Sequence, residues 1–141
     1  MKRSIVLALA IAAMMIASSN LLKAQIETVQ RRADIPFAFH VEDREFPAGT
    51  YFVGWVGGRL HIQSFDGKQV ASVLVLPVES LKTCERSTLQ FNSYGQARYL
   101  SKIWIAGRNT GHELLRTKSE EELARQSTGK AYAMVGLSAV H

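Results

Sequence analysis

Histidine is the side chain best able to bind a metal or move a proton near neutral pH, and the sequence carries four, His40, His61, His112 and His141. His40 stands two residues before Glu42 and three before Asp43. A metal site there needs a further ligand brought in by the fold, with His61 the candidate. The paired histidines of an HExxH motif do not occur. His112-Glu113 follows a glycine-containing loop and has the composition of an acid–base pair, but neighbours on a strand point to opposite faces, so the two are not expected to converge. Cys84 is the single cysteine. It rules out an internal disulfide and a thiolate metal cluster. As a nucleophile it would need a positioned base, which Lys82 and Arg86 do not provide. The expectation is a partly buried, inert thiol, with an intermolecular disulfide as the alternative in an oxidising compartment. Glu42, Asp43 and Glu45 could supply paired carboxylates for glycoside chemistry, yet acids grouped in a turn are ordinarily solvated.

No Gly-x-Ser-x-Gly elbow, phosphate-binding loop, dinucleotide fingerprint or calcium loop is present. Gly54-Trp55-Val56-Gly57-Gly58 is glycine-rich but has no following helix to present amides to a phosphate, and it reads as a hairpin. No catalytic residue, metal ligand or cofactor site is therefore designated. The remaining candidates are Tyr51, Trp55, Tyr99 and Trp104. They would either line an apolar ligand pocket inside a barrel or, as is more usual in a domain of this size, fill its core.

The elements that must hold these side chains read as β. Ile35, Phe37, Phe39 and Val41 alternate with polar or small residues, the pattern of one half-buried strand, with Pro36 near its start or on an edge. Glu42–Glu45 and Phe46–Gly49 are turns. Gly57-Gly58 sits between two alternating segments and predicts a two-residue hairpin loop. The pairs Val56–Arg59, Trp55–Leu60 and Val53–Ile62 follow. They put Tyr51, Val53, Trp55, Leu60 and Ile62 on one face, and set His61 opposite Gly54 on the other. Asp66-Gly67 gives a second two-residue turn signal. Val70–Val78 is apolar on both faces, as in a strand covered on both sides or one passing from one sheet to another.

Residues 88–92 and 98–105 form a hairpin through Ser93-Tyr94-Gly95-Gln96. Its loop length is ambiguous by one residue, so either Leu100 and Trp104 or Tyr99 and Ile103 face Phe91. Ser119-Glu120-Glu121-Glu122 is a capping box that starts a short helix, and Ala131–Val140 is a final strand. The fold class is all-β: a single antiparallel sandwich or small barrel of about 7–8 strands with one short helix near the C-terminus.

Residues 1–24 have the form of a secretory signal peptide: Met1-Lys2-Arg3, the apolar run Ile5–Ala17, then a more polar exit with cleavage after Ser19 or Ala24. The run is shorter than the ~20 apolar residues that span a bilayer, so no stable membrane span is expected after cleavage. Residues 25–34 read as a lead-in and 35–141 as the β domain. Of the 141 residues 47% are hydrophobic and 21% charged, which suits one globular domain and excludes disordered or disulfide-scaffold classes. Lys2, Arg3 and Lys23 belong to the leader. Removing them leaves fourteen basic against twelve acidic residues, a net charge of +2 in place of +5. Scattered charge of that size gives no basic patch for nucleic acid. A transmembrane barrel needs strands of roughly 9–11 residues with aromatic girdles, longer than several segments here.

The segments IPFAFHVEDREFPAGTYFV, SFDGK, LQFNSYGQARYLSKIW and GHELLRTKSEEELA, in this order over residues 35–126, resemble a family of small exported bacterial β proteins. Its marks are a signal peptide, a Pro-Ala-Gly turn running into an aromatic strand, a Tyr-Gly hairpin and a short capped helix. The resemblance implies export and a β fold, and assigns no activity, ligand or site residue. The leading functional expectation is an exported, non-catalytic β domain acting by protein or surface contacts, periplasmic or extracellular. A soluble carrier of a small apolar ligand inside a barrel is the alternative, and a small envelope hydrolase the second.

Overall fold

The computed structural model describes residues 30–140, so the apolar run Ile5–Ala17 and both candidate cleavage points lie outside the described residues. The strands are β1 (Arg31–Ile35), β2 (Phe39–Val41), β3 (Arg44–Phe46), β4 (Gly49–Val56), β5 (Arg59–Ser64), β6 (Val70–Val73), β7 (Val75–Glu79), β8 (Thr88–Tyr94), β9 (Ala97–Trp104), β10 (Thr110–Leu114) and β11 (Ala131–Ala139). One helix, α1 (Lys118–Gln126), lies between β10 and β11. The fold is all-β with a short helix near the C-terminus, as the patterning indicates.

Nine strands form one curled sheet in the order β3-β2-β9-β8-β11-β1-β4-β5-β6, a half-barrel. All neighbours are antiparallel except β2 and β9, which meet in parallel at His40–Tyr99. Farther along β9 the same edge pairs with β10, and β10 pairs with β7. Because β7 continues β6 after a break at Leu74, the far end of the sheet leads back covalently toward its beginning. A side chain joins the remaining gap: Arg44 on β3 donates to the Val70 carbonyl on β6 at 2.5 Å and to Gln69 Oε1 at 3.4 Å.

The eleven strands exceed the expected 7–8 because two apparent strands are each cut in two and because Arg44–Phe46, expected within the turns Glu42–Glu45 and Phe46–Gly49, forms β3 and pairs back on β2. Residues 35–41 are one alternating run in sequence, yet β1 ends at Ile35 and β2 begins at Phe39. Pro36 has no N–H to continue a ladder, and the chain crosses there to the other part of the sheet with Ile35, Phe39 and Val41 still facing inward. Residues 31–34, expected as lead-in, belong to β1 and sit between β11 and β4. Val70–Val78 is cut at Leu74 in the same way. It passes from one part of the sheet to another and is not covered on both sides, since Leu74 and Leu76 are more than half exposed.

The β4–β5 hairpin has the register set by its glycines: Val56–Arg59, Trp55–Leu60, Gly54–His61 and Val53–Ile62 are partners. Gly57 (φ +58°) and Gly58 (φ +77°) both take the left-handed backbone that a primed two-residue turn requires. The β5–β6 connection differs from the expected two-residue turn. Gln63 pairs with Val70, and the loop between them is organised by Asp66, whose carboxylate accepts from Ser64 Oγ at 2.6 Å and from the Lys68 amide at 3.0 Å. In β8–β9 neither simple register holds. Phe91 pairs with Leu100 and Leu89 with Ile103, because a bulge at Gln90/Phe91 absorbs one extra residue. That irregularity turns both Leu100 and Ile103 inward.

The inward faces meet in one core. Tyr51, Phe39, Phe46, Phe91, Leu60, Ile62, Leu89, Ile103, Val41 and Val53 are each less than 2% exposed. The short β2–β3 hairpin contributes three of these: Phe39 and Phe46 stack on each other and both meet Tyr51 edge-on, and Phe39 also meets Phe91 edge-on. On the outer face α1 is tied to β8 through Glu120. Its N-cap is Thr117, whose hydroxyl accepts from the Glu120 amide at 3.3 Å, two residues before the expected Ser119. Glu120 does not reach back to a cap. It is buried, and its Oε1 accepts from Asn92 Nδ2 at 3.0 Å and Tyr94 Oη at 3.1 Å.

Candidate functional site

The curled sheet separates the four aromatic candidates. Tyr51 is a core residue that donates its hydroxyl to the Pro47 carbonyl at 2.5 Å, pinning the turn before β4. Burial, and then the charge of Asp66, raise its pKa. Tyr99 pairs with Asn92 on the outer face and stacks on His40 at 4.5 Å. Trp104 also faces outward, and its indole donates to Gln90 Oε1 at 3.1 Å. Only Trp55 stands at an inward position near an end of the sheet, half-buried. The four therefore do not line one pocket.

The histidines disperse as well. His40 and His61 both face outward, on β2 and β5, which are not neighbours in the sheet. Among the described residues no group of three or more His, Cys, Asp or Glu is placed to hold a metal ion. Glu113 points outward, 4.0 Å from Lys102, while its neighbour His112 pairs with Ile103 on the inward face. The opposition expected of strand neighbours holds. Cys84 is half-buried, and its backbone ties the loop after β9 to the segment before β8: its amide donates to the Arg108 carbonyl at 2.9 Å, and its carbonyl accepts from the Gly107 amide at 2.9 Å.

That tie helps build an arrangement the sequence does not announce. At the end of the half-barrel marked by Trp55, a hollow of about 300 Å³ is lined by Arg31, Trp55, Ile105, Arg108 and His112. Arg31 opens β1 opposite Val53, so it shares the inward face with Trp55. His112 comes from β10, which can lie close against β9 only because residue 111 is glycine: a Cβ there would stand 2.6 Å from the Ile103 carbonyl oxygen. The Trp55 and His112 rings lie 5.1 Å apart at 53°. Arg108 is presented by the loop fastened to Cys84.

Every polar group lining this hollow is a donor or a neutral imidazole. Burial, and then the positive charge of Arg108, push the His112 pKa below its ordinary 6.5. The Trp55 Nε1–H is buried and has no hydrogen-bond partner among the described residues. Neither Arg31 nor Arg108 is within ion-pair distance of a carboxylate among them; the two ion pairs there are Arg32–Asp34 and Lys102–Glu113. No carboxylate, hydroxyl or thiol side chain lines the space, and the charged groups at it are the two guanidiniums, beside the apolar faces of Trp55 and Ile105. Sequence reasoning found Trp55 but missed Arg31, Arg108 and His112 as its companions. They come from three separate segments with no characteristic spacing.

A second feature is apolar. Leu74, Leu76 and Leu115 are 55%, 53% and 55% exposed around the β6–β7 bend, Leu115 one residue beyond the Leu114–Val75 pair. Among the described residues the backbone edge of β7 away from β10 is not paired, and Pro77 in its middle removes a donor from that strand. Among the described residues no helix is long and apolar enough to cross a membrane. No known protein family, curated protein or solved structure matches the chain.

Proposed function

We propose that this protein is an exported, non-catalytic β domain that acts by contacts with a protein or surface partner in the bacterial envelope or outside the cell. One observation carries the choice over an internal carrier. The space a carrier would keep for its ligand is occupied by ten large side chains, each less than 2% exposed. The dispersed histidines favour it over a hydrolase. The outward leucines at 74, 76 and 115 offer one apolar surface for such a contact, beside the unpaired edge of β7.

Expressing the full precursor in a bacterium and taking the native mass of the exported protein tests the reading. The expected product is shortened at Ser19 or Ala24 and carries no apolar molecule that leaves only on denaturation. Retention of all 141 residues in the cytoplasm overturns the export half. A bound apolar molecule released on unfolding restores the carrier. For the contact itself, Leu74→Lys with Leu76→Lys should leave stability within about 0.5 kcal/mol and abolish co-sedimentation with the envelope fraction. Equal sedimentation of variant and parent removes these leucines from the reading.

A further inference from the structure

We propose that the hollow between Arg31, Trp55, Ile105, Arg108 and His112 is a binding site for a small amphipathic carboxylate, its acid group facing the two guanidiniums and its apolar part against Trp55 and Ile105. The inference is independent of the contact reading above. It would survive if the leucine surface had no partner.

Three observations converge on it. The first is charge without compensation. Two arginines from separate segments border one hollow, and among the described residues neither has a carboxylate partner. Guanidinium forks match a carboxylate in geometry as well as charge. The second is an orphaned donor. The Trp55 Nε1–H is withdrawn from solvent with no acceptor among the described residues, a cost in free energy that a turn of the ring toward a bound carboxylate would relieve. Trp104, the other tryptophan, has its acceptor in Gln90, so the vacancy is specific to Trp55. The third is the wall. Trp55 and Ile105 give the hollow an apolar side, and its volume of about 300 Å³ stands at the small end of the range typical of ligand sites. A bare inorganic anion would leave that wall unused, and an uncharged apolar molecule would leave the guanidiniums and the indole N–H unanswered. His112 remains neutral near pH 7 and adds a polar edge without a second negative group to compete.

The two tryptophans make the test internal. In ¹⁵N–¹H spectra of the full chain each gives an indole signal, assigned through Trp55→Phe and Trp104→Phe. The probe is 3-phenylpropionate, with 3-phenylpropionamide and inorganic phosphate as comparisons. The expected result is a saturable displacement of the Trp55 signal by 3-phenylpropionate at millimolar concentrations, with the Trp104 signal fixed. Arg31→Gln and Arg108→Gln should each weaken that response roughly tenfold, the loss of one charge-assisted hydrogen bond. Both replacements lie at the rim and leave the folded spectrum otherwise in place. A Trp55 signal that does not move overturns the proposal. Equal displacement by the amide overturns the role of the arginines, and equal displacement by phosphate overturns the role of the apolar wall.

Discussion

Replacing Gly111 by alanine tests how the hollow is held together. A Cβ at this position would stand 2.6 Å from the Ile103 carbonyl oxygen and 2.6 Å from Trp104 Cε3. Ordinary contact begins at 3.4 Å, so β10 would have to retreat from β9 by about 0.8 Å at this point. The nearest obstacle is backbone, which cannot rotate aside. Overpacking of this kind costs about 1–3 kcal/mol, and weakening a ladder hydrogen bond between β10 and β9 adds roughly 0.5–1.5 kcal/mol. The expected destabilisation is therefore about 2–4 kcal/mol, within reach of a domain whose total is about 5–15 kcal/mol. With a urea dependence of about 1–3 kcal/mol per molar, the unfolding midpoint should fall by roughly 1 M or more while the slope is kept. His112 moves with β10, so the Trp55 indole signal should shift in the same variant. Gly129→Ala is the control: nothing lies within 4 Å of a Cβ built there, and its effect should stay within about 0.5 kcal/mol. A Gly111→Ala midpoint equal to the parent's would refute the close approach of β10 to β9, and with it the placement of His112 beside Trp55.

Glu120→Ala removes the acceptor shared by Asn92 and Tyr94 and should cost about 2–4 kcal/mol in urea unfolding, since the buried Asn92 amide is orphaned at roughly 1–3 kcal/mol and the part-buried Tyr94 hydroxyl at the low end of that range, about 1 kcal/mol. Glu120→Gln keeps an accepting oxygen and should lose far less, so equal losses would deny the hydrogen bonds their role. Thr117→Ala should cost about 1 kcal/mol through loss of the helix cap, and Ser119→Ala almost nothing; the reverse order would return the cap to Ser119. The folded-state pKa of His112 lies below its ordinary 6.5, so below pH 6.5 the unfolded chain binds the proton first. The stability this neutral histidine preserves is complete above pH 6.5 and is lost as pH falls through the folded value. The difference in urea midpoint between the parent and His112→Gln should therefore change over that window, and a constant difference would show that His112 titrates alike in both states.

What the sequence revealed follows from which features are local. The β4–β5 register was legible because Gly57-Gly58 fixes the phase of two alternating runs and both halves agree on an inward set. The β8–β9 register was not, because the extra residue of a bulge has no signature in the alternation on either side of it. Alternation also persisted through Pro36, where the strand is broken. It records which way side chains face, and the chain keeps that sense while exchanging one neighbour for another. Thr117 and Ser119 each precede a glutamate by three residues. The choice between them is made by Asn92 and Tyr94, which draw Glu120 down onto the sheet, and only tertiary structure supplies that. Trp55 was recognisable as an inward aromatic residue. Its cationic neighbours were not, because the curl of the sheet alone brings β1, β10 and the loop after β9 to the same rim.

The pairing of β1 with β11 bears on the order of events during synthesis. Arg31, Arg32 and Ala33 are partnered with Ala139, Ser138 and Leu137, so the first described strand waits for the last. Until β11 is made, β1 and β8 each present an open edge in the middle of what becomes the sheet. Closing so long a separation comes late and slowly. A nascent chain therefore cannot complete its sheet until the residues of β11 have emerged. Truncation before Ala131 should leave a chain with no stable native state, however complete its hairpins. The two ends of the domain are adjacent in space, so a short linker joining them, with new termini opened at the Gly57-Gly58 turn, should preserve the fold while abolishing that dependence on the last residues.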